Sequence, residues 1–592
     1  MKSTPASAAR LGDYSTDRRV LVLSAMAILV GIFGALAARA LDLLIAFITN
    51  ACYFGRFSVE RVSPAANTLG VWSVLVPVAG GLVIGAMARW GSPKIRGHGI
   101  PEALEAILIG GSRLDAKVAI LKPVSSAISI GTGGPFGAEG PIIMTGGALG
   151  SLFAQRFHLS SAERKTLLVA GAAAGMSAIF VSPIAAVLLA VELLLFEWKP
   201  RSFIPVAVAS VVAAVARVPL FGSGGPIFPV VPHRVLPAAI LLGAAGIGLA
   251  AGLASGGLTA LVYGFEDLFE KFRFHWMWWP AIGGLGVGLG GLWNPRVLGV
   301  GYDQIQHLLD GSTAGTAAAG LAVTKGVVWS FALGSGTSGG VLAPLLMMGA
   351  ALGSSTSALF HTTDPGLWAL LGMAAMMGGT MRSPLTSMFF AVELTRDFNT
   401  LPELLVACVV AYAVTVLLLR RSILTEKIAR RGHHLSREYT VDPFDIHRVG
   451  EVMDRNVPTI PAAMTVRELA ERLRRDAALA RRQGTPILDE HGRLAGIITR
   501  SDLMRALDKD SSGAAPVLDA GTRGPVVAYE DELLRDAAAR MLDRDIGRLP
   551  VVDRDDPKRL IGYLGRSGIL AARQRLIDDE NRRERGAAPA TS

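Results

Sequence analysis

The sequence predicts an all-α polytopic membrane protein with an internal repeat and broken half-helices, followed by a soluble α/β tail. Three observations lead there. Of 592 residues, 51% are hydrophobic and only 18% charged, with a mean hydropathy of +0.44, and many runs approach the roughly 20 apolar residues that a spanning helix needs. Beyond about residue 430 those runs stop and charge becomes dense, leaving a tail of roughly 150 residues, ordinary for soluble domains. Finally, two features recur. Ser182-Pro183 to Glu192-Leu193 matches Ser383-Pro384 to Glu393-Leu394 at an offset of 201 (384 − 183). Gly131, Gly133, Gly137 and Pro141 match Gly334, Gly336, Gly340 and Pro344 at 203 (344 − 141). Two offsets this close argue for a duplicated half, a common transporter plan.

In chain order, Arg18 and Arg19 precede the apolar run Val20–Thr49 and, with Lys2 and Arg10, place the N-terminus in the cytoplasm. Val71–Met87 follows, then a glycine loop, Gly97-His98-Gly99-Ile100-Pro101, that opens a helix predicted over Glu102–Ile109. That helix is too short to cross a bilayer, and short helices interrupted by Gly and Pro point to a site near the midplane. Further runs cover Ala116–Ile130, Thr166–Phe180, Pro183–Phe196, Phe203–Ala216, Val235–Val262, Ala281–Trp293, Ala317–Leu333, Leu367–Met377, Pro384–Leu394 and Leu401–Leu419. Trp276, Trp278 and Trp279 read as an interfacial belt.

The loop Gly131–Pro141 is the centre of the argument. Its glycines leave backbone N–H groups uncovered, and Pro141 suits the first turn of a helix. Glu139 therefore sits where an anion is attracted. At membrane depth the helix terminus offers about 0.3–1 kcal/mol against several kcal/mol of desolvation. A carboxylate held so weakly is displaced by another anion or protonated, which is the logic of a gate. A helix cap facing water is the plainer alternative. The repeat pairs Glu139 with Leu342, so two half-helices converge and one of them brings an acid.

Other classes fit less well. The net charge of +10 comes largely from arginines in the tail and at loop ends, which marks cytoplasmic loops and not nucleic-acid binding. Cys52 and Cys408 lie far apart in apolar surroundings and carry no disulfide or metal signal. No nucleophile–base pair or metal-ligand cluster supports an enzyme. A cation carrier would need a ring of pore carboxylates, whereas acids inside the bundle sit singly at helix ends. The polar stretch Met1–Thr16 shows no cleavable signal peptide.

Gly97–Pro101, Gly137–Pro141 and Gly340-Val341-Leu342-Ala343-Pro344 resemble, in order and spacing, the three signature loops of the CLC chloride channel and transporter family. Val300-Gly301-Tyr302 and Ser422–Lys427 resemble it too. The resemblance covers roughly residues 18 to 432. It implies an inverted-repeat membrane fold, and a homodimer in the lipid bilayer joined by segments like 183–216 and 384–419. It implies one pathway per subunit for a small inorganic anion, most simply chloride, with a bacterial inner membrane as the setting and both termini cytoplasmic.

Carried over by position, Glu139 resembles the external gating glutamate. The anion site comprises Gly97, His98, Gly99, Ile100, Pro101, Gly137, Ala138, Gly140, Gly340, Val341, Leu342 and Leu424, with N–H groups at Gly99–Ile100 and Val341–Leu342 as ligands. Three positions depart from the pattern. His98 replaces a serine, and either donates to the anion or faces a water-filled vestibule. Leu424 replaces the pore tyrosine and has no hydroxyl. Leu342 replaces a phenylalanine. Exchangers of the family often carry two adjacent glutamates after the helix like Pro183–Val191; here Glu192 is followed by Leu193, which cannot carry a proton. That favours a voltage- or pH-gated chloride channel over a proton-coupled exchanger. Glu192 is then either a substitute proton carrier or, like its mate Glu393, a structural carboxylate.

The tail repeats itself: Thr485-Pro486-Ile-Leu-Asp489 and Gly496-Ile-Ile-Thr499-Arg-Ser-Asp502 are matched by Leu549-Pro550-Val-Val-Asp553 and Gly562-Tyr-Leu-Gly565-Arg-Ser-Gly568. This resembles a tandem pair of CBS domains, at 446–508 and 516–575, joined to the 18–432 membrane domain by a linker at 433–445. An N-terminal segment (1–17) and a charged tail (576–592) flank them. In that family Thr499 and Asp502 would hold the ribose of an adenine nucleotide (ATP, ADP or AMP), with Thr485 and Pro486 lining the cleft. Gly565 and Gly568 leave the second copy without those side chains, so at most one site is expected. An empty structural module is the alternative.

Overall fold

A computed structural model describes residues 18–108, 112–222, 225–233, 237–357, 364–432, 448–480 and 482–570. The segments 1–17, 433–445 and 576–592 lie outside the described residues. Two compact units divide the chain, one spanning Tyr14–Glu438 and the other taking the tail from Tyr439.

Among the described residues, the first unit is built from helices. Its first half holds α1 (Arg19–Phe54), α2 (Leu75–Trp90), α3 (Ile100–Leu108), α4 (Ala116–Gly131), α5 (Glu139–Gln155), α6 (Ser161–Phe180), α7 (Pro183–Leu189) and α8 (Pro200–Phe221). The second half holds α9 (Ile240–Glu270), α10 (Trp279–Trp293), α11 (Tyr302–Leu309), α12 (Gly315–Gly334), α13 (Leu342–Thr356), α14 (Pro365–Met381), α15 (Pro384–Thr395), α16 (Leu401–Leu418) and α17 (Ile423–Arg430). Among the described residues, six helical stretches are long and apolar enough to cross a membrane. At 36 residues, α1 is about 54 Å long at 1.5 Å per residue, enough to cross the ~30 Å hydrocarbon core with length to spare. Others, among them α3, α7, α13 and α15, are too short to span alone.

Several boundaries differ from the sequence reading. Helix α9 continues to Glu270, eight residues past the apolar run, and takes Gly264 in its stride because no proline follows to end the ladder. Helix α7 gives way to a π-helical turn over Ala190–Leu195, which contains Glu192; periodicity does not reveal such a turn. Trp276 and Trp279 do not simply form a belt: both hold the Arg96 guanidinium over their rings, at 4.7 and 5.6 Å.

The two halves pack alike. Helix α5 lies on α6 and α13 lies on α14 through glycines: a Cβ at Gly146 would meet the Gly171 carbonyl oxygen at 2.2 Å, and one at Gly349 would meet that of Gly372 at 2.4 Å. Such contact lets helices approach more closely than larger side chains allow. Two buried lysines repeat as well. Lys122 Nζ donates to the carbonyls of Ile95 and Gly97 at 2.8 and 2.7 Å; Lys325 Nζ, 203 residues on (325 − 122), donates to Val297 and Gly299 at 2.9 Å each. Each ammonium ties its helix to the loop before the preceding short helix, α4 to the loop before α3 and α12 to the loop before α11.

The tail holds two similar layers. In the first, β1 (Ile460–Pro461) runs parallel to β2 (Gly484–Leu488), which pairs antiparallel with β3 (Leu494–Thr499), and β4 (Thr522–Arg523) adds to β3. In the second, β5 (Ala528–Tyr529) is parallel to β6 (Arg548–Val552), which is antiparallel to β7 (Leu560–Gly565). Both copies carry a bulge at the same place, Ile487/Leu488 and Val551/Val552. The copies are laced together by a mutual backbone pair between Asp454 and Tyr563, 2.9 Å each way.

Candidate functional site

Three glycine loops meet inside the first unit. Gly137 and Gly340, repeat mates, form an antiparallel bridge: Gly340 N donates to Gly137 O at 2.9 Å and Gly137 N to Gly340 O at 3.3 Å. Gly97 pairs with Ser338 in a parallel bridge. Ser125 and Ser126 reach Ser338 Oγ at 3.1 and 2.8 Å, fixing the third loop to α4. Each loop delivers a helix N-terminus, at Ile100, Glu139 and Leu342.

Glu139, at the first turn of α5, is fully buried. Its Oε1 accepts from Leu342 N and from Ala343 N, the latter at 3.2 Å. Its Oε2 has no hydrogen-bond partner. The carboxylate therefore occupies the N-terminus of its own repeat mate's helix, the place where an external anion would be held. Two hydrogen bonds to a charged acceptor contribute about 1.5–3 kcal/mol each, comparable with the several kcal/mol needed to desolvate it. A near balance makes the seat exchangeable, and a solute of like charge can compete for it. The N–H pair that Glu139 uses is Leu342–Ala343, because the helix begins at Leu342 and Val341 caps it.

The first loop is organised differently. His98 is 3% exposed and its Nδ1 lacks a partner. Gly99 N donates to Glu102 Oε2 at 3.1 Å, leaving the expected ligand group engaged by a capping carboxylate. Glu102 Oε1 in turn accepts from Arg431 Nη2 at 2.8 Å. Leu424 is fully buried near the start of α17, and the preceding carbonyl, Ile423 O, accepts from Tyr263 Oη at 2.5 Å. The Tyr263 and Glu102 contacts were absent from the sequence reading; the Glu102 spacing, three residues after Gly99, was the usable signal.

Glu192 is not in this cluster. Its carboxylate accepts from Leu385 N (3.3 Å), Thr386 N (2.9 Å) and Thr386 Oγ1 (2.6 Å), capping α15. Leu193 beside it is buried.

In the tail, Thr499 and Asp502 bond each other as a capping box: Asp502 Oδ2 accepts from Thr499 N at 3.0 Å and Thr499 Oγ1 at 2.7 Å. The cavity beside Thr485 and Thr499 measures about 10 Å³, room for about one water. A far larger cleft, about 1540 Å³, runs between the two copies, lined by Asp454, Arg482, Arg548, Tyr563, Gly565 and Arg566 among others.

Paired half-helix N-termini, with a carboxylate seated on one of them, form a pocket of the kind that suits an anion. Comparison with known proteins places the chain more closely. The sequence model of the voltage gated chloride channel family matches residues 80–416, and that of the CBS domain matches 449–509 and 517–575. The chain belongs to the voltage gated chloride channel family, with a CBS pair as its tail. It is 31% identical over 423 residues to the voltage-gated ClC-type chloride channel ClcB of Salmonella typhimurium, covering 70% of this chain and 99% of that one. Its fold is similar to that of a slow cyanobacterial Cl-/H+ antiporter (TM-score 0.62, 21% identity, 70% of this chain and 99% of the other). It is also similar to a eukaryotic CLC transporter (TM-score 0.58, 19% identity, 93% and 98%).

Proposed function

We propose that this protein transports small inorganic anions, chloride first, as a voltage- or pH-gated channel in which Glu139 is the gate. The observation that carries the reading is the Glu139 carboxylate on the Leu342 and Ala343 N–H groups. An anion must take that seat to pass, so flux requires the side chain to leave or to be neutralised. Leu193 and the capping role of Glu192 support channel over exchanger, since both remove a proton carrier from this region. The alternative, a proton-coupled exchanger, draws on the unpartnered Glu139 Oε2, a buried oxygen free to take a proton. Chloride flux from proteoliposomes under a pH gradient tests both. Anion flux that never drives protons uphill supports the channel, coupled proton movement supports the exchanger, and flux of cations alone defeats both.

The same reading has the protein acting as a homodimer in the inner membrane. Exposed apolar side chains on the expected faces support this: Ile184, Val211, Leu385 and Val409 are 41–53% exposed. An adenine nucleotide at Thr485, Pro486, Thr499 and Asp502 would regulate the tail, and its binding requires Asp502 to release Thr499. Titration of ATP and AMP into the full chain, with Asp502→Ala as comparison, tests it.

A further inference from the structure

A cavity of about 320 Å³ in the membrane unit counts Ala138, the residue before Glu139, among its lining. Its wall includes Asp42, Arg61, Ile179 and Tyr302. Beside it, three guanidinium groups gather on one ring: Arg217, Arg39 and Arg61 lie 4.2, 5.1 and 6.0 Å from the centroid of Phe221. Asp42 answers two of them, pairing with Arg39 at 3.1 Å and Arg61 at 2.7 Å. Arg217 is 4% exposed and bonds only carbonyls, donating from Nη1 to Ala178 O (2.6 Å) and Ile179 O (3.1 Å), while its Nε has no partner. The Tyr302 hydroxyl, buried at the cavity, has no partner either.

Capping the end of α6 accounts for Arg217, and an ion pair three residues apart accounts for Arg39 with Asp42. Arg61, from the loop after α1, shares that same Asp42 with Arg39 and brings a third positive charge beside the ring. Three cations around one carboxylate leave an excess of two positive charges; Asp303, also on the cavity wall, lowers it to one. Like charges this close repel unless an anion joins them. Clefts lined by one sign of charge raise the local concentration of the opposite ion.

We infer that this cavity is an outer anion-binding station, where Arg61, backed by the fields of Arg217 and Arg39, captures a small monovalent inorganic anion before it meets Glu139. Asp42 is its built-in competitor for Arg61. The inference rests on the anion-transport reading, and its test is built to separate the two.

The full chain is reconstituted in planar bilayers and chloride is titrated on each face in turn. Arg61→Gln is expected to raise the half-saturating chloride on one face by roughly three- to tenfold, the scale of one lost unit charge in a half-solvated site, leaving the other face unchanged. Asp42→Asn is expected to lower it on that same face. Chloride titrated calorimetrically into the detergent-solubilised full chain reads binding without transport, and Arg61→Gln is expected to weaken it. Wild-type flux with unmoved half-saturation and unmoved calorimetric affinity overturns the station alone. Absent flux with calorimetric binding that still depends on Arg61 overturns the transport reading and keeps the station.

Discussion

Glu192 and Glu393 cap each other's helices across the repeat. Glu192 accepts from the first turn of α15, which carries Glu393, and Glu393 accepts from Ile184 N (3.0 Å) and Ala185 N (2.8 Å) at the first turn of α7, the helix leading into Glu192. Each half thus supplies the anion that the other half's helix terminus attracts. The exchange differs in one respect, since Glu192 sits on a π turn and Glu393 on regular helix.

Removing one of these caps leaves several donors unpaired. Glu192→Ala is expected to lower stability by about 2–4 kcal/mol, read as a fall in the thermal midpoint of the detergent-solubilised protein. Glu192→Gln keeps an acceptor oxygen and is expected to retain anion flux. Abolished proton coupling in a Gln variant whose anion flux is intact would instead assign Glu192 to a proton route.

Glu139→Gln removes the charge that competes for the Leu342 and Ala343 N–H groups while preserving shape. The expected result is chloride flux that no longer varies with pH, measured by chloride efflux between about pH 4 and 8, a window that spans ordinary and buried carboxylates. A pH profile unchanged from wild type counts against the gate.

The lysine pair makes a matched prediction. Lys122→Met and Lys325→Met each leave two carbonyls without a donor, so each is expected to cost about 2–4 kcal/mol. Equal falls in thermal midpoint would show that the two halves are held in the same way; a fall in one alone would break that equivalence.

His233 lies in the loop before α9, outside the spanning helices. Its Nε2 contacts Asp364 at 2.9 Å and its Nδ1 contacts the buried Asp397, while Asn399 Nδ2 holds its carbonyl at 2.6 Å. The hydrogen bond to Asp364, opposed by burial and joined by Asp397, raises the imidazole from 6.5 to about 9. A raised histidine contributes stability that is complete below its ordinary value and is lost as pH rises through the folded value. Protease sensitivity of the 225–233 loop is therefore expected to increase as pH passes about 9, and His233→Gln is expected to show the sensitive behaviour at every pH.

Much of this architecture is visible in the residues themselves. The glycine loops and the Glu–Leu asymmetry between Glu139 and Leu342 follow from counting offsets, because a duplicated half must place its mates in equivalent surroundings. What escapes such counting is any contact between segments far apart. The Arg431–Glu102–Gly99 chain and the three guanidiniums on Phe221 depend on how helices cross, and crossing leaves no local signature. The π turn at Ala190–Leu195 escapes for another reason: it adds one residue to a turn without changing the apolar pattern. In the tail, the resemblance to CBS domains implies a ligand role for Thr499 and Asp502. Their spacing of three also makes a capping box, and the chain forms it.

The bridge between Gly137 and Gly340 has a last consequence. If inverted mates meet at the centre and were chemically identical, the pathway would look the same from either side of the membrane, and reversing the voltage would change nothing. Glu139 facing Leu342 removes that equivalence at one point. On the proposed gating, a carboxylate on one side only gives the passage a sense of direction, so current is expected to differ when the voltage is reversed.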